Sequence, residues 1–266
     1  MEFALGFIIA LAIALTGVGA GSMTTPLLIL LLHVNSAVAV GTALTFGWIV
    51  KVASVPMYAF RRQISFRVLV LLLFGGLPGV VAGGFLLNKM KNGPYQGVLY
   101  AILGSLIVAT ALFHLYRQFR PEPPPSNSRK ERWLLWLALP IGAEVGFSSA
   151  GAGALGSLLL LSFTPLSTQE VVGTDLCFGL ALSFVGSMIQ VSHGNYDPAL
   201  LMKLVAGGLC GAVLGSFLAG RVPRRPLRLA LLVMLVVLGC QLVTQGRTAP
   251  ATPVRAMLGP PGSIVK

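Results

Sequence analysis

A glycine-rich segment that occurs twice constrains this chain more than any other feature of its sequence. Residues 17–22 have the sequence GVGAGS and residues 151–154 have the sequence GAGA, so that Gly151 lies 132 positions after Gly19. Two further pairs of segments match at the same offset without a gap: VGT at 40–42 and 172–174, and GGL at 75–77 and 207–209. Chance matches in a chain rich in glycine and leucine would drift out of register. The pattern therefore indicates an internal duplication.

The composition places both copies in a membrane. Of the 266 residues, 55% are hydrophobic and only 10% are charged, and the mean hydropathy is +0.86. A soluble domain carries roughly 25% charged residues. Apolar runs occur at 2–32, 37–59, 67–87, 95–116, 133–163, 171–192, 199–219 and 227–245. Because an open sheet edge is not tolerated in lipid, we expect helices and an all-α polytopic membrane protein.

The first apolar run of each copy is too long for one membrane span and too short for two full spans. Two shorter helices that meet at the glycine cluster would account for this length, because clustered glycines lower helix propensity and free backbone groups to face a cavity. The alternative is that these glycines only let helices pack closely in lipid. We favour the break at both clusters, since paired interruptions are typical of a transporter's binding site. At Gly75, Gly76, Gly83 and Gly84 we favour close packing.

The distribution of basic residues predicts how the copies are oriented. The net charge of +12 does not indicate a nucleic-acid partner, because most Lys and Arg residues lie between apolar runs. Loops 61–67, 117–132 and 221–228 are strongly basic and are predicted to be cytoplasmic. Loop 193–197 matches the first of them at the offset of 132 but contains no Lys or Arg. Matching loops would then lie on opposite sides of the membrane, which predicts two inverted repeats.

The predicted organisation follows from these runs and loops. Each repeat has about four hydrophobic segments, and the first segment of each is broken at its glycine cluster. The four predicted regions are a first membrane repeat at 1–116, a cytoplasmic linker at 117–132, a second membrane repeat at 133–245 and a loosely ordered tail at 246–266. We expect a multi-pass protein of the plasma (inner) membrane.

Small polar residues lie beside the glycine breaks and at the starts of the spans that follow them. Free N–H groups and the dipole at a helix N-terminus favour an anion, and Lys51 would add a positive charge. The sequence therefore predicts a site for a small oxyanion. Its candidate residues are Gly19, Gly21, Ser22, Thr24, Thr25, Thr42, Thr45, Lys51, Ser148, Ser149, Gly151, Gly153 and Thr174. The alternative is that the Ser and Thr hydroxyls bond only to their own helices.

Four ionisable residues within apolar runs are functional candidates, because charge inside a membrane is costly: Lys51, Glu144, Asp175 and Lys203. The alternative is that these four groups pair with one another or, for the two lysines, extend to the membrane surface. Glu144 is too short to do so and is the stronger proton-coupling candidate. Asp175 is the weaker one, because we expect it to be more hydrated near the start of its span, where it would cap a helix N-terminus. We expect Glu144→Gln to bind substrate but lose pH-dependent transport.

The motifs resemble those of the sulfite exporter TauE/SafE family. The resemblance rests on the glycine-rich break at 17–21, on Pro26 and on the small-x-Gly-Thr step at 39–42. Both the break and the step recur in the second half, at 151–153 and 172–174. The resemblance implies a secondary carrier, often an exporter, for sulfur-containing or organic anions such as sulfite, sulfoacetate or other sulfonates.

This sequence departs from the family pattern in two places. Ala20 interrupts the glycine run that is often seen in the family, and Pro26 has Leu158 as its counterpart in the second half. The second break is therefore expected to differ in shape from the first.

The predicted function is that of a secondary transporter for a small anion, which would bind between the two glycine breaks. A passive anion channel is the alternative, since it would share the pore chemistry without depending on a proton gradient. An enzyme is disfavoured, because the sequence contains no HExxH motif, no paired acids at helical spacing and no nucleotide-binding loop. The expected partners are the anion and the lipid bilayer, with no cofactor, metal or nucleic acid. The sequence leaves the oligomeric state open.

Overall fold

The computed structural model describes residues 2–16, 20–91, 96–118, 132–150, 154–218 and 224–248. These residues form ten α-helices, and no strand occurs among them. The helices are α1 (Glu2–Thr16), α2 (Ala20–Leu32), α3 (Ser36–Phe60), α4 (Phe66–Lys91), α5 (Gln96–Gln118), α6 (Arg132–Ser148), α7 (Ala154–Phe163), α8 (Thr168–Ser192), α9 (Pro198–Leu218) and α10 (Arg224–Thr248). The all-α prediction is confirmed for this part of the chain.

The outer surface of the helices suits a lipid environment. Three of the described helices are long and apolar enough to cross a membrane, over Phe66–Lys91, Gln169–Ser192 and Pro198–Gly215. Large apolar side chains cover the outside, and Phe74 and Trp136 are each 70% exposed. Contiguous exposure of this kind is unusual for a soluble monomer and is normal for a membrane protein.

The described part of each long first run comprises two helices. In the first half α1 ends at Thr16 and α2 begins at Ala20, and in the second half α6 ends at Ser148 and α7 begins at Ala154. The segments in between, which contain Gly19, Gly151 and Gly153, lie outside the described residues. Gly21 belongs to the first turn of α2 and has helical geometry, so the expected departure from helix does not extend to it.

The pair α3 and α8 lies at the centre of the fold, and the two helices are equivalent at the offset of 132. The N–H of Ser65, which follows α3, donates to Thr174 Oγ1 near the start of α8 at 3.0 Å. At the equivalent place, the N–H of Asp197 after α8 donates to Thr42 Oγ1 near the start of α3 at 3.4 Å. The end of each helix thus lies beside the start of the other, so α3 and α8 pack antiparallel.

Two pairs of outer helices pack with their backbones in close contact. Four glycines leave no room for a Cβ beside a carbonyl oxygen of the partner helix: Gly75 against Leu135, Gly79 against Leu139, Gly207 against Phe3 and Gly211 against Phe7. The first two join α4 to α6, and the last two, at the equivalent positions, join α9 to α1. Small residues permit such an approach in lipid, where apolar burial gives helices little reason to associate. The packing interpretation of Gly75 is confirmed.

Two apolar cores flank the central pair. One is built mainly from α1, α2, α9 and α10, and the other from α4, α6, α7 and α8. The fully buried ring of Phe46 lies against Gly208 in the first core, and the ring of Phe178 lies against Gly76 in the second. These contacts are equivalent at the offset of 132, and they fix α3 and α8 between the outer helices.

Candidate functional site

Lys51 is buried where α3 crosses α8. Its side chain is 8% exposed, and its Nζ donates to Ser183 Oγ at 2.7 Å and to the Gly179 carbonyl at 3.2 Å. Ser183 is the equivalent of Lys51 at the offset of 132, so the ammonium is held by the matching position of the other half. An ammonium has three N–H groups, and the contacts with described residues use two of them. The site therefore offers a buried positive charge with a donor to spare.

Asp175 lies on α8 against the first turns of α7. Ser157 Oγ donates to Asp175 Oδ2 at 2.5 Å, and Oδ1 lies so close to Gly156 that a Cβ there would collide with it. Asp175 is only 4% exposed, and its buried Oδ1 accepts no hydrogen bond from any residue that the structure describes. Such a carboxylate oxygen is rare in a folded protein and points to a missing donor.

Two expectations about Asp175 are wrong. It is not a hydrated residue near the start of its span, because α7 covers it. It does not cap α8 either, since the N-cap is Ser167, which forms a capping box with Glu170. A count of residues from the start of an apolar run places the residue along its own helix but cannot show that another helix covers it.

Lys51 contacts the face of α8 that carries Asp175. Asp175, Gly179 and Ser183 are spaced four residues apart and therefore form one stripe along α8, next to α3. Lys51 contacts the last two of these residues, and Asp175 lies about one turn, ~5–6 Å, further along the same stripe. The centre of the protein thus contains one buried cation and one buried acid on facing helices.

The polar residues at the glycine breaks meet across the two halves. Thr25 Oγ1 lies 2.5 Å from Ser149 Oγ, and Ser149 Oγ donates to the Gly21 carbonyl at 3.1 Å. Because a hydroxyl has one proton, Thr25 is the donor to Ser149. Ser149 has a φ of 63° directly after α6, and this bend directs its side chain towards α2. The predicted proximity of Gly21, Thr25 and Ser149 is therefore observed.

The other small polar candidates are divided between the breaks and the central helices. Ser22 and Thr24 are buried on α2, and Ser148 Oγ donates to the Glu144 carbonyl of its own helix at 2.9 Å. Thr45 Oγ1 donates to the Gly41 carbonyl at 2.9 Å and lies 2.7 Å from Ser187 Oγ on α8. The alternative of bonding to the helix backbone thus applies to Ser148 and to Thr45.

The hydroxyls of Thr42 and Thr174 bind loops of the protein itself. Each is fully buried, and each accepts a backbone N–H from the loop that follows the equivalent helix. Because both hydroxyls are fully buried, a substrate could reach them only if the surrounding segments moved.

Glu144 and Lys203 have partners outside the α3–α8 crossing. Thr110 Oγ1 on α5 donates to Glu144 Oε1 at 2.6 Å, and Glu144 is half-buried. Lys203 Nζ forms an ion pair with Glu2 Oε2 at 2.7 Å, and its side chain is 59% exposed. Lys203 is therefore paired, but with Glu2 rather than with one of the other three candidates. In the described ranges, no three metal-ligating side chains come together.

A second buried polar cluster, which the sequence analysis missed, joins the ends of α4 and α8. Asn195 Nδ2 donates to Asn88 Oδ1 at 2.6 Å and to Gln190 Oε1 at 2.7 Å. Asn88 Nδ2 donates to the Gly84 carbonyl at 2.9 Å, and Lys91 Nζ donates to Asn195 Oδ1. Amide side chains at the ends of two apolar runs were the available signal. The role of Ser183 could also have been predicted from the sequence, because Ser183 is the counterpart of Lys51 at the offset of 132.

The fold and the site define a class of protein: a helical membrane protein with charged and hydroxyl-bearing side chains buried between two equivalent central helices. The chain belongs to the sulfite exporter TauE/SafE family, whose model matches residues 2–242. The resemblance found in the sequence is confirmed. This is a family of membrane transporters rather than of enzymes.

Several curated bacterial proteins are similar to the chain over most of its length. The probable membrane transporter protein YjnA of Bacillus subtilis (strain 168) is 27% identical over 249 residues, which is 90% of this chain and 97% of that protein. YdhB of the same organism is 23% identical over 244 residues, with coverages of 89% and 97%. A probable membrane transporter protein of Xylella fastidiosa (strain Temecula1 / ATCC 700964) is 26% identical over 226 residues, with coverages of 81% and 83%. No solved structure matches the chain significantly. The protein is a membrane transporter.

Proposed function

We propose that the protein is a secondary transporter that exports small sulfur-containing or organic anions, such as sulfite or sulfonates. In this proposal the anion binds between the two halves, near Lys51 and the two helix breaks. The observation that carries the proposal is the buried ammonium of Lys51 between the two equivalent central helices. A buried charge destabilises a fold unless it is compensated, and inside a membrane such a residue most often serves transport.

The hydroxyl groups around Lys51 suit the oxygens of a sulfite or sulfonate ion. Ser183 fixes the ammonium, and the Thr45–Ser187 pair lies about one helical turn further along α8. These hydroxyls form hydrogen bonds with each other and with the backbone. When a substrate binds, one of its oxygens would take the place of one of these acceptors within the protein. The net cost of such an exchange is small, about 1 kcal/mol for each hydrogen bond.

The helix breaks would contribute to the same site. Ser22, Thr24, Thr25, Ser148 and Ser149 lie at or near the start of α2 and the end of α6. Free N–H groups at the N-terminus of a helix stabilise negative charge, and here they would act in addition to Lys51. The candidates Gly19, Gly151 and Gly153 stay a prediction, since they lie outside the described residues.

The proposal includes two inverted repeats that move relative to each other around the site. Two observations support it. The equivalent helices α3 and α8 pack antiparallel, and contacts between the halves occur twice, once in each direction. For example, Ser65 binds Thr174, and the equivalent residues Asp197 and Thr42 bind each other. If both helices cross the bilayer, equivalent loops lie on opposite sides. A protein of this kind would be a multi-pass component of the inner membrane, with its basic loops in the cytoplasm.

Cysteine labelling at two equivalent positions tests the inversion. Arg61 and His193 are both exposed, and they are related by the offset of 132. We expect Arg61→Cys to react with an impermeant maleimide only from the cytoplasmic side, and His193→Cys only from outside, in a background that lacks Cys177, Cys210 and Cys240. Reaction of both variants from the same side would exclude inverted repeats.

Flux into proteoliposomes tests the transport function and separates it from a passive channel. We expect wild-type protein to accumulate a radiolabelled alkanesulfonate against its concentration gradient when a proton gradient is imposed. Glu144 or Asp175 would carry the coupled proton. A passive channel would only equilibrate the anion. Lys51→Met should abolish uptake, whereas the matched control Lys203→Met, which alters a lysine at the surface, should retain it. Full uptake by Lys51→Met would exclude the proposed site.

A further inference from the structure

The buried acid that faces Lys51 suggests how proton and anion movement are linked. We infer that the substrate anion and the Asp175 carboxylate compete for the one ammonium of Lys51, so that each anion binds together with one proton on Asp175. The inference rests on the proposed function, since it assumes that an anion binds at Lys51. It selects Asp175, and not Glu144, as the coupling acid.

The geometry supplies the first argument. Asp175 lies on the stripe of α8 that Lys51 contacts, about one turn, ~5–6 Å, from Gly179, whose carbonyl accepts from Lys51 Nζ. In a centre with little water, one ammonium compensates one negative charge, and a second negative charge has no counter-ion. An incoming anion therefore leaves Asp175 uncompensated unless that carboxylate becomes neutral.

The unpartnered oxygen supplies the second argument. Ser157 donates to Oδ2, whereas Oδ1 is buried and receives no hydrogen bond from the described residues. In the proposed step, a proton from water forms an O–H bond at Oδ1, and the carboxylate loses its charge. The neutral carboxyl then needs no counter-ion, so the ammonium of Lys51 is left to the anion. When the anion leaves, the proton returns to water and Asp175 again compensates Lys51.

The surroundings of Asp175 leave Lys51 as the charged group that acts on it. α7 contains no ionisable residue, and α3 contains no charged residue other than Lys51. α4 carries Arg67, Lys89 and Lys91 near its ends, and α6 carries Glu144, which binds Thr110 on α5. Of these charged groups, Lys51 is the one held by hydrogen bonds on the stripe of α8 that carries Asp175.

Calorimetric titration with methanesulfonate tests the inference, because the charge of this anion is constant across the neutral pH range. If binding takes up one proton, the Kd of wild-type protein should rise about tenfold for each pH unit above the point where Asp175 ionises in the empty carrier. Asp175→Asn is permanently neutral, so its Kd should stay constant and close to the wild-type value at low pH. Glu144→Gln is the matched control and should keep the wild-type slope.

A second measurement needs no variant and remains decisive if Asp175→Asn does not fold. Titrations of wild-type protein in buffers of different ionisation enthalpy give the number of protons taken up for each anion, which should be about one. A value of zero, or a slope that persists in Asp175→Asn, would overturn the inference. A slope lost only in Glu144→Gln would do the same and would select Glu144. Failure of wild-type protein to bind any sulfonate would instead reject the proposed function.

Discussion

The packing of α4 against α6 predicts opposite effects of alanine at two adjacent glycines. A Cβ at Gly83 would collide with the Ala143 carbonyl oxygen and would lie 3.0 Å from the Phe147 nitrogen, both of which are backbone atoms. A Cβ at Gly84 would lie 3.2 Å from Ile189 Cγ2, a side-chain methyl that has to move by only a few tenths of an ångström. Only the first substitution therefore forces two helices apart.

The expected difference in stability follows from these contacts. Alanine in place of glycine within a helix stabilises it by about 1 kcal/mol, and this gain applies to both positions. Overpacking costs about 1–3 kcal/mol, and a collision between backbones should reach the upper end of that range. The two variants should then differ by about 3 kcal/mol. For a chain of this length that corresponds to about 6–12 °C in Tm.

Thermal unfolding in detergent, followed by tryptophan fluorescence at one fixed scan rate, measures the difference. We expect Gly84→Ala to unfold at or slightly above the wild-type temperature and Gly83→Ala to unfold well below it. The equivalent pair Gly75→Ala and Gly207→Ala should be destabilised equally, because each meets a carbonyl of its partner helix. Equal unfolding temperatures for Gly83→Ala and Gly84→Ala would refute the close packing described here.

Three further substitutions test individual contacts. Ser183→Ala removes the hydroxyl that anchors Lys51, so sulfonate affinity should fall about fivefold in calorimetry, equivalent to about 1 kcal/mol. Thr25→Val removes the donor to Ser149 and should lower the stability by about 1–2 kcal/mol in the same melting assay. Asn195→Ala leaves buried amide partners unsatisfied and should cost about 1–3 kcal/mol, and an unchanged Tm would show that this cluster is not tightly bonded.

The sequence was informative about features that depend on spacing along the chain. The offset of 132 relates α3 to α8 at both ends, and α6 ends at Ser148, within the overlong first run of the second half. Position within an apolar run made Lys51 a candidate, but it left open whether the side chain is buried, as observed, or extends to the membrane surface. Periodicity and length determine such features locally.

Features that depend on contacts between helices were not predictable in the same way. Each of these features joins residues on different helices or more than 100 positions apart. They are the cover that α7 provides for Asp175, the anchoring of Lys51 by Ser183 and the binding of a loop amide by Thr42. A single sequence does not show which faces meet. The duplication supplies a partial guide, because Lys51 and Ser183 occupy matching positions and lie together at the centre.

The most direct test of the central claim is to locate the anion itself. Selenite is the selenium analogue of sulfite, and its anomalous scattering identifies it in crystals of the protein without reference to the side chains. We predict a selenium peak between α3 and α8, about 3–4 Å from Lys51 Nζ, which is the distance of an ammonium from an oxyanion that it binds. Peaks confined to the basic loops, with none at the α3–α8 crossing, would contradict the account.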